Sequence, residues 1–150
     1  MPIITNPKGG IEIEVFWSDQ DVIECQFRCS NGRFSGVAEI YLSHDDLPRI
    51  ASALEGFPSS ATDSRELELG TFNPAHADGG VRLDCYCKDS VGHVVIEVKL
   101  RGDACKSLGE PESVALILPV EAAGIDSFLT QVRAIDAEQI GSSAFLPMAL

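Results

Sequence analysis

Apolar and polar residues alternate over much of the chain, and this period of two predicts half-buried antiparallel strands. The first alternating run covers residues 11–17, and the second covers residues 23–29 after the turn SDQ. Both runs place glutamates or other polar side chains on their opposite face. We expect the inward positions to be Ile11, Ile13, Val15, Trp17, Ile23, Cys25, Phe27 and Cys29.

The pair Asn31-Gly32 follows the second run and predicts a two-residue hairpin, because both central positions of a type I′ turn need a positive φ. This turn would pair Ser30 with Arg33. Every inward pair is then apolar or small, so the turn and the face pattern agree on one register. The expected pairs are Cys29 with Phe34, Phe27 with Gly36, Cys25 with Ala38, and Ile23 with Ile40.

Two amphipathic helices are also expected. Either Ser43 or Asp45 could cap the first helix, and Asp45 is favoured because Pro48 is tolerated only in a first helical turn. The second helix covers GIDSFLTQVRAID, residues 124–136. The stripes at helical spacing are Leu47, Ile50, Ala51 and Leu54 in the first helix, and Ile125, Phe128, Leu129, Val132 and Ile135 in the second.

The second half of the chain supplies further strands. ELELGTF, residues 66–72, is a short one, and residues 81–88 and 94–101 form a hairpin. Matching the apolar faces of this hairpin places Cys87 opposite Val94, whereas the turn DSVG suits a type I turn with a glycine bulge that slips the pairing by one residue. We favour the register that matches the apolar faces, because a slip of one residue would bury Glu97. The run SVALILPVE is almost continuously apolar and predicts a central strand.

The order of elements predicts an α+β fold in a single domain, residues 1–136. Its sheet would be a mostly antiparallel meander of about seven strands, covered in part by the two amphipathic helices. The remaining residues, 137–150, form an apolar tail that either docks on the domain or contacts another subunit.

Charge is the unusual feature of the composition. The 150 residues include 23 acidic and 11 basic ones, for a net charge of −12. Nucleic acid and anionic membrane surfaces are therefore not expected partners, since both need clustered lysine and arginine. No secretory signal and no membrane-spanning stretch is recognisable, so we expect a cytoplasmic protein with reduced thiols.

The five cysteines do not have the spacing of a metal site. Cys25 and Cys29 would lie about 13 Å apart on one strand, and neither CQFRC nor CYC flanks a tight turn as zinc ligand pairs do. On apolar strand faces, buried cysteines act as small hydrophobes. We therefore expect core packing, with no metal and no cofactor.

No catalytic motif stands out. The chain has no nucleophile elbow, P-loop, dinucleotide fingerprint or zinc-protease motif, so no catalytic residues are assigned. One alternative is a small-molecule-binding or enzymatic domain, which would require a concave pocket with convergent polar groups. Tyr86, His93 and Arg101 would be its first candidates, because they share the polar side of neighbouring strands.

Acidic residues dominate the outward positions and loops of the first hairpin and the start of the first helix. Such a field attracts a basic protein partner, although a general acidic surface explains it as well. The candidate partner-binding residues for this basic partner are Glu12, Glu14, Asp19, Asp21, Glu24, Asp45 and Asp46.

A third alternative is an oligomeric structural protein that associates through its apolar tail, residues 137–150.

The stretch FSGVAEIYLSHDDLPRIASALEGFP, followed by GHVVIEVKLR and GIDSFLTQVRAI, resembles a group of small bacterial proteins. They are related to the cell-wall-associated toxin immunity family and share a strand that runs into a D-L-x-x-I/F-x-x-x-L helix. The resemblance spans roughly residues 34–135. It implies a non-enzymatic protein, some relatives of which neutralise a secreted toxin by binding it. The leading hypothesis is therefore an immunity protein that occludes a basic toxin domain.

Overall fold

Eight strands and two helices make up the described part of the chain. The computed structural model describes residues 9–73, 79–102 and 112–149. In chain order the elements are β1 (Gly10–Ser18), β2 (Ile23–Ser30), β3 (Ser35–Leu42), α1 (Asp46–Leu54), β4 (Ser64–Gly70), β5 (Gly80–Cys87), β6 (Val94–Arg101), β7 (Ser113–Val120), α2 (Ala122–Arg133) and β8 (Ser143–Pro147).

The strands form two four-stranded antiparallel sheets, whereas the sequence predicted one sheet of about seven strands. Sheet A has the order β3-β2-β1-β8, and sheet B has the order β4-β5-β6-β7. The additional strand, β8, comes from the apolar tail and pairs with β1, so that Ile11 lies opposite Leu146. The α+β class and the two amphipathic helices are confirmed.

The two halves of the chain repeat one order of elements, which the sequence does not reveal. Strands β1 to β3, α1 and β4 form the first half, and β5 to β7, α2 and β8 form the second. The last strand of each half pairs with the first strand of the other half: β4 with β5, and β8 with β1. The two helices lie against each other. Each sheet is thus completed by a strand from the opposite half.

The inner faces of both sheets and the apolar stripes of both helices share one hydrophobic core, so the described residues form a single α+β domain. Close contact between the sheets depends on Gly36 in β3. A Cβ atom at this position would lie 2.6 Å from Cγ1 of Val114 and 3.2 Å from Cδ1 of Leu100. The bare backbone of β3 therefore allows sheet B to approach.

The expected register of the β2–β3 hairpin is wrong by two residues. Ser30 pairs with Ser35, and a four-residue loop replaces the two-residue turn. Within the loop, Oδ1 of Asn31 accepts hydrogen bonds from the N–H groups of Arg33 and Phe34. Because side chains alternate with a period of two, this shift leaves the residues of β2, and those of β3 from Gly36 onward, on the faces that the sequence predicted. Cys29 now faces Gly36, and Phe34 leaves the apolar face and is 60% exposed.

Trp17 does not lie on the apolar face of β1, contrary to expectation. A β-bulge between Val15 and Trp17 shifts the pairing, so that Trp17 lies opposite Glu24 instead of continuing the inward row. A bulge inserts one extra residue and redirects the side chains that follow it. Val15 is fully buried, whereas Trp17 is 46% exposed.

The run SVALILPVE is an edge strand of sheet B, not a central one. After Ser113, the outward side chains of β7 are apolar but exposed, and Ile117 is 54% exposed. Pro119 lacks an N–H group and suits an edge, where one side of the strand needs no ladder partner.

The β5–β6 hairpin has the register that the apolar faces predicted. Cys87 pairs with Val94, and Cys85 pairs with Ile96. Gly92, with a φ of +83°, closes the loop without the one-residue slip that the turn alone suggested. Glu97 consequently stays exposed on the outer face.

Candidate functional site

One end of sheet A gathers the turn between β1 and β2, the end of β3 and the start of α1. The β2 residue Ile23 pairs with Leu42 at the end of β3, which brings the two chain segments together. The imidazole Nε2 of His44 then donates to the carbonyl oxygen of Asp19 over 2.6 Å. This hydrogen bond ties the segment before α1 to the β1–β2 turn.

Two exposed aromatic side chains flank a carboxylate at this end. Trp17 of β1 pairs with Glu24 of β2, and Glu24 pairs with Tyr41 of β3. Directly paired residues on adjacent antiparallel strands share a face, so all three side chains lie on the outer face of sheet A. Trp17 is 46% exposed and Tyr41 is 43% exposed. The row therefore presents aromatic, acidic and aromatic groups across three strands.

More carboxylates surround this row. Asp19 accepts hydrogen bonds from the backbone N–H groups of Asp21 and Val22, and these bonds lower its pKa. Asp21 is exposed in the same turn, and Asp45 is exposed at the N-cap of α1 without a side-chain capping bond. We define the acidic-aromatic patch as Trp17, Asp19, Asp21, Glu24, Tyr41 and Asp45.

Three of the acidic residues that the sequence nominated are engaged within the molecule. Asp46 accepts a hydrogen bond from the N–H of Ser43 and forms an ion pair with Arg49 at 3.1 Å. Glu12 and Glu14 of β1 both form ion pairs with Arg28 of β2, the first at 2.9 Å. These three residues do not belong to the acidic-aromatic patch.

Arg28 lies outward from a central strand and is nevertheless buried, with 9% of its surface exposed. Its guanidinium carbon lies 5.9 Å from the centroid of the Phe16 ring while its nitrogens contact Glu12 and Glu14. An aromatic ring and two carboxylates thus hold a guanidinium on the same face as the patch.

Gln26 is a buried polar residue between these two groups of side chains. It lies two residues from Glu24 and two from Arg28 on the outer face of β2, and only 8% of its surface is exposed. Its Oε1 atom is buried and has no hydrogen-bond partner in the described part of the chain. A buried acceptor without a donor costs about 1–3 kcal/mol, which makes this position unfavourable for the isolated fold.

The three residues considered for a small-molecule site do not converge. A hydrogen bond between Tyr86 and Glu97 on the outer face of sheet B raises the pKa of Tyr86. His93 lies in the β5–β6 loop, where its ring contacts Asp89. Arg101 is at the other end of β6, 5% exposed, and donates to the carbonyl oxygen of Thr71. The length of β6 separates His93 from Arg101.

Cysteine side chains lie where the face pattern placed them. Cys25, Cys29 and Cys85 are at most 1% exposed, and burial raises the pKa of each thiol to about 12. Cys87 is partly buried and its sulfur contacts the carbonyl oxygen of Ser60. Cys105 lies outside the described residues. The three buried thiols are core side chains that water does not reach.

A groove of about 380 Å³ runs between the two helices. Its two ionisable side chains have partners within the molecule, because His44 bonds to Asp19 and Arg133 forms an ion pair with Glu55 at 3.4 Å. In residues 9–73, 79–102 and 112–149, no group of three or more histidine, cysteine or carboxylate side chains is arranged to hold a metal ion. Nor does this part of the chain contain a helix long and apolar enough to cross a membrane.

Comparisons with protein-family models, with curated proteins and with solved structures found no match to this chain.

Sequence reasoning found Glu24, Asp19, Asp21 and Asp45 but missed the aromatic half of the patch. Trp17 was assigned inward, because a strict alternation carries it there. The signal that could have found it is the adjacent pair Phe16-Trp17, which breaks the alternation just before a turn. Two consecutive aromatic residues at a strand end cannot both point inward without a bulge.

Proposed function

We propose that this chain is a protein-binding module whose acidic-aromatic patch docks a basic protein domain. In this proposal its biological role is immunity, in which the bound partner is a toxin domain that is occluded rather than chemically modified. The observation that carries the proposal is the row of Trp17, Glu24 and Tyr41 among the exposed carboxylates of Asp21 and Asp45.

The composition of the patch supports protein binding over simple solubility. Exposed tryptophan and tyrosine contribute little to solubility, but they are enriched at protein interfaces, where they supply large contact areas. The carboxylates around them would steer a positively charged partner toward the same place. A surface that was acidic only for solubility would need charge but not this pairing of charge with aromatic rings.

The resemblance to toxin immunity proteins supports the toxin as partner. A toxin domain that carries a basic surface complements the net charge of −12. Occlusion needs a rigid, exposed binding face, and the outer face of a packed sheet provides one.

Co-expression with the toxin domain encoded beside this chain's gene tests the proposal. We expect protected growth, and a one-to-one complex that survives gel filtration and dissociates more readily as the salt concentration rises. Charge reversal within the patch, Asp21→Lys with Asp45→Lys, should weaken the complex and reduce protection.

The matched control reverses two exposed charges at the N-terminal end of α2, away from the patch, Glu121→Lys with Asp126→Lys, and should retain protection. Wild-type protein that neither binds nor protects against this toxin domain would refute the immunity role. Equal loss of binding in the patch variant and the control would refute the patch as its binding face.

A further inference from the structure

We infer that the row of Trp17, Glu24 and Tyr41 is a clamp for an arginine side chain of the partner. This inference rests on the proposed function and specifies the chemistry of its central contact. The guanidinium would stack on the aromatic rings and donate hydrogen bonds to the Glu24 carboxylate between them.

The spacing of the row suits such a group. Adjacent strands lie about 4.8 Å apart, so the Cα atoms of Trp17 and Tyr41, one strand on either side of β2, are roughly 10 Å apart. A planar group in contact with two rings needs about 3.5–4 Å on each side. The interval therefore admits one flat side chain above Glu24.

The molecule already holds two of its own arginines by the same combination of groups. Arg28 lies over Phe16 and pairs with Glu12. Arg65 lies 5.5 Å from the centroid of Phe57 and pairs with Asp63 at 2.9 Å.

The arrangement of one ring and one carboxylate therefore binds guanidinium in this fold.

Glu24 has no ion pair or hydrogen bond with any other described residue, so its carboxylate is available to a partner.

Gln26 provides an independent indication that a donor belongs on this face. Its unsatisfied Oε1 lies two positions along β2 from Glu24, a separation of about 6.6 Å between the Cα atoms. A guanidinium carries five N–H donors, more than one carboxylate can accept, and a small rearrangement of the neighbouring side chains would let one of them reach Oε1.

Arginine fits this row better than lysine. The guanidinium is flat, stacks on aromatic faces and matches a carboxylate with two parallel hydrogen bonds, whereas an ammonium is a compact and strongly hydrated charge. Cation–π contacts in proteins also involve arginine more often than lysine. The clamp should therefore discriminate between two side chains of equal charge.

Trp17 makes the test direct, because it is the single tryptophan in the chain. A peptide of alternating glycine and arginine is titrated at low salt while the fluorescence of Trp17 is recorded. Peptides with citrulline, which is neutral but nearly the same shape, or with lysine in place of arginine serve as comparisons. We expect a saturable change with the arginine peptide, at least fivefold weaker binding of the lysine peptide, and no saturation with the citrulline peptide.

Substitutions assign the effect to the three residues. Glu24→Gln should weaken binding of the arginine peptide about tenfold, because it removes a charge-assisted bidentate pair. Tyr41→Ala should weaken it about three- to fivefold, which is the range of a cation–π contact at an exposed site. The matched controls are Glu121→Gln, an exposed carboxylate at α2, and Phe34→Ala, an exposed aromatic residue at the opposite end of sheet A, and both should bind like the wild type. Thermal melts by circular dichroism verify that each variant is folded.

The outcomes separate the clamp from the wider proposal. No response of Trp17 to the arginine peptide, equal binding of the lysine peptide, or equal losses in the controls would overturn the clamp. A toxin domain that binds Trp17→Ala and Glu24→Gln as tightly as the wild type would also overturn it while leaving the protein-binding function in place. If the arginine peptide binds with the stated dependence but the toxin domain does not, the clamp stands and the immunity role fails.

Discussion

The outer faces of the two sheets have the same topology and the same number of carboxylates, but they differ in what surrounds those carboxylates. On the strands of sheet B, three cations lie among four acids, and Arg82 alone lies within 3.6 Å of three of them. On the strands of sheet A, one cation lies among four acids. The residues are Glu66, Glu68, Asp84, Glu97, Arg82, Lys99 and Arg101 on sheet B, and Glu12, Glu14, Glu24, Glu39 and Arg28 on sheet A.

The aromatic residues differ in the same direction. Tyr86 on sheet B is partly buried, whereas Trp17 and Tyr41 on sheet A expose more than two fifths of their surfaces. Sheet B therefore neutralises its own outer face, whereas sheet A retains an excess of negative charge beside exposed rings. One architecture thus supports both a self-contained face and a face suited to a partner.

The largest expected effect concerns the two central arginines. Arg28→Met leaves Glu12 and Glu14 next to each other without a cation and should lower the free energy of unfolding by about 2–3 kcal/mol. Arg82→Met should cost clearly less, because the ion pairs of Arg82 are more exposed to water. Urea unfolding of both variants measures the difference. The triple variant Glu12→Gln, Glu14→Gln, Arg28→Met should recover most of the loss, and equal losses for the two single variants would contradict the contrast between the faces.

Charge reversal of one carboxylate on each face should separate their roles in binding. Glu24→Lys is expected to weaken binding of the glycine-arginine peptide at least tenfold, about 1.4 kcal/mol. Glu66→Lys, at a position 71% exposed on sheet B, should change the affinity by less than about twofold after correction for salt. Isothermal titration calorimetry at two ionic strengths provides the measurement. Equal effects at both positions would mean that only the net charge of the protein matters.

A smaller effect is expected where the two faces bury an outward side chain. Gln26→Leu removes the unsatisfied acceptor and should raise the free energy of unfolding by about 1 kcal/mol. Val95 is the buried apolar counterpart on sheet B, and Val95→Thr should lower the free energy by a similar amount, since it buries a hydroxyl. Denaturant midpoints of both variants check the opposite signs. A destabilised Gln26→Leu variant would show that the amide contributes to the isolated fold.

The inner faces of the two sheets, in contrast, should both exclude a thiol reagent. At pH 8 a thiol reagent should label Cys87 in a Cys105→Ser background and should leave Cys25, Cys29 and Cys85 unlabelled until the chain unfolds. Because burial raises the pKa of these three thiols from 9.0 to about 12, their contribution to stability is complete below pH 9 and declines as the pH rises from 9 towards 12. Mass spectrometry after labelling identifies the modified residues. Labelling of any buried thiol in the native protein would indicate an open core.

The sequence predicted the inward faces well because alternation is a property of each strand by itself. Cys85 opposite Ile96 followed from the faces alone. The β2–β3 register did not follow, because a shift of two residues leaves each side chain on the same face, and the pattern cannot distinguish the two registers. Only the connecting loop could decide between the two registers. The side chain of Asn31 caps a four-residue loop instead of supporting the two-residue turn that the sequence predicted.

The features of the candidate site that were missed depend on pairings across the fold. The bulge that turns Trp17 outward depends on how β1 meets β2, and the edge position of β7 depends on which strands reach sheet B. Apolar outward residues such as Ile117 made β7 look central. Carboxylates were found because their charge is visible in the sequence. The burial of Gln26 and Arg28 on an outer face was not visible, since it arises from neighbouring strands.

The pairing of β8 with β1 has a consequence for how the nascent chain matures. A ribosome releases β1 long before β8, so one edge of β1 emerges with unpaired backbone groups that can template another strand. Gly10 accommodates the late arrival, because a Cβ atom there would lie 2.3 Å from the carbonyl oxygen of Leu146. Strand β8 therefore shields an edge of β1 that stays open to aggregation until β8 has been synthesised.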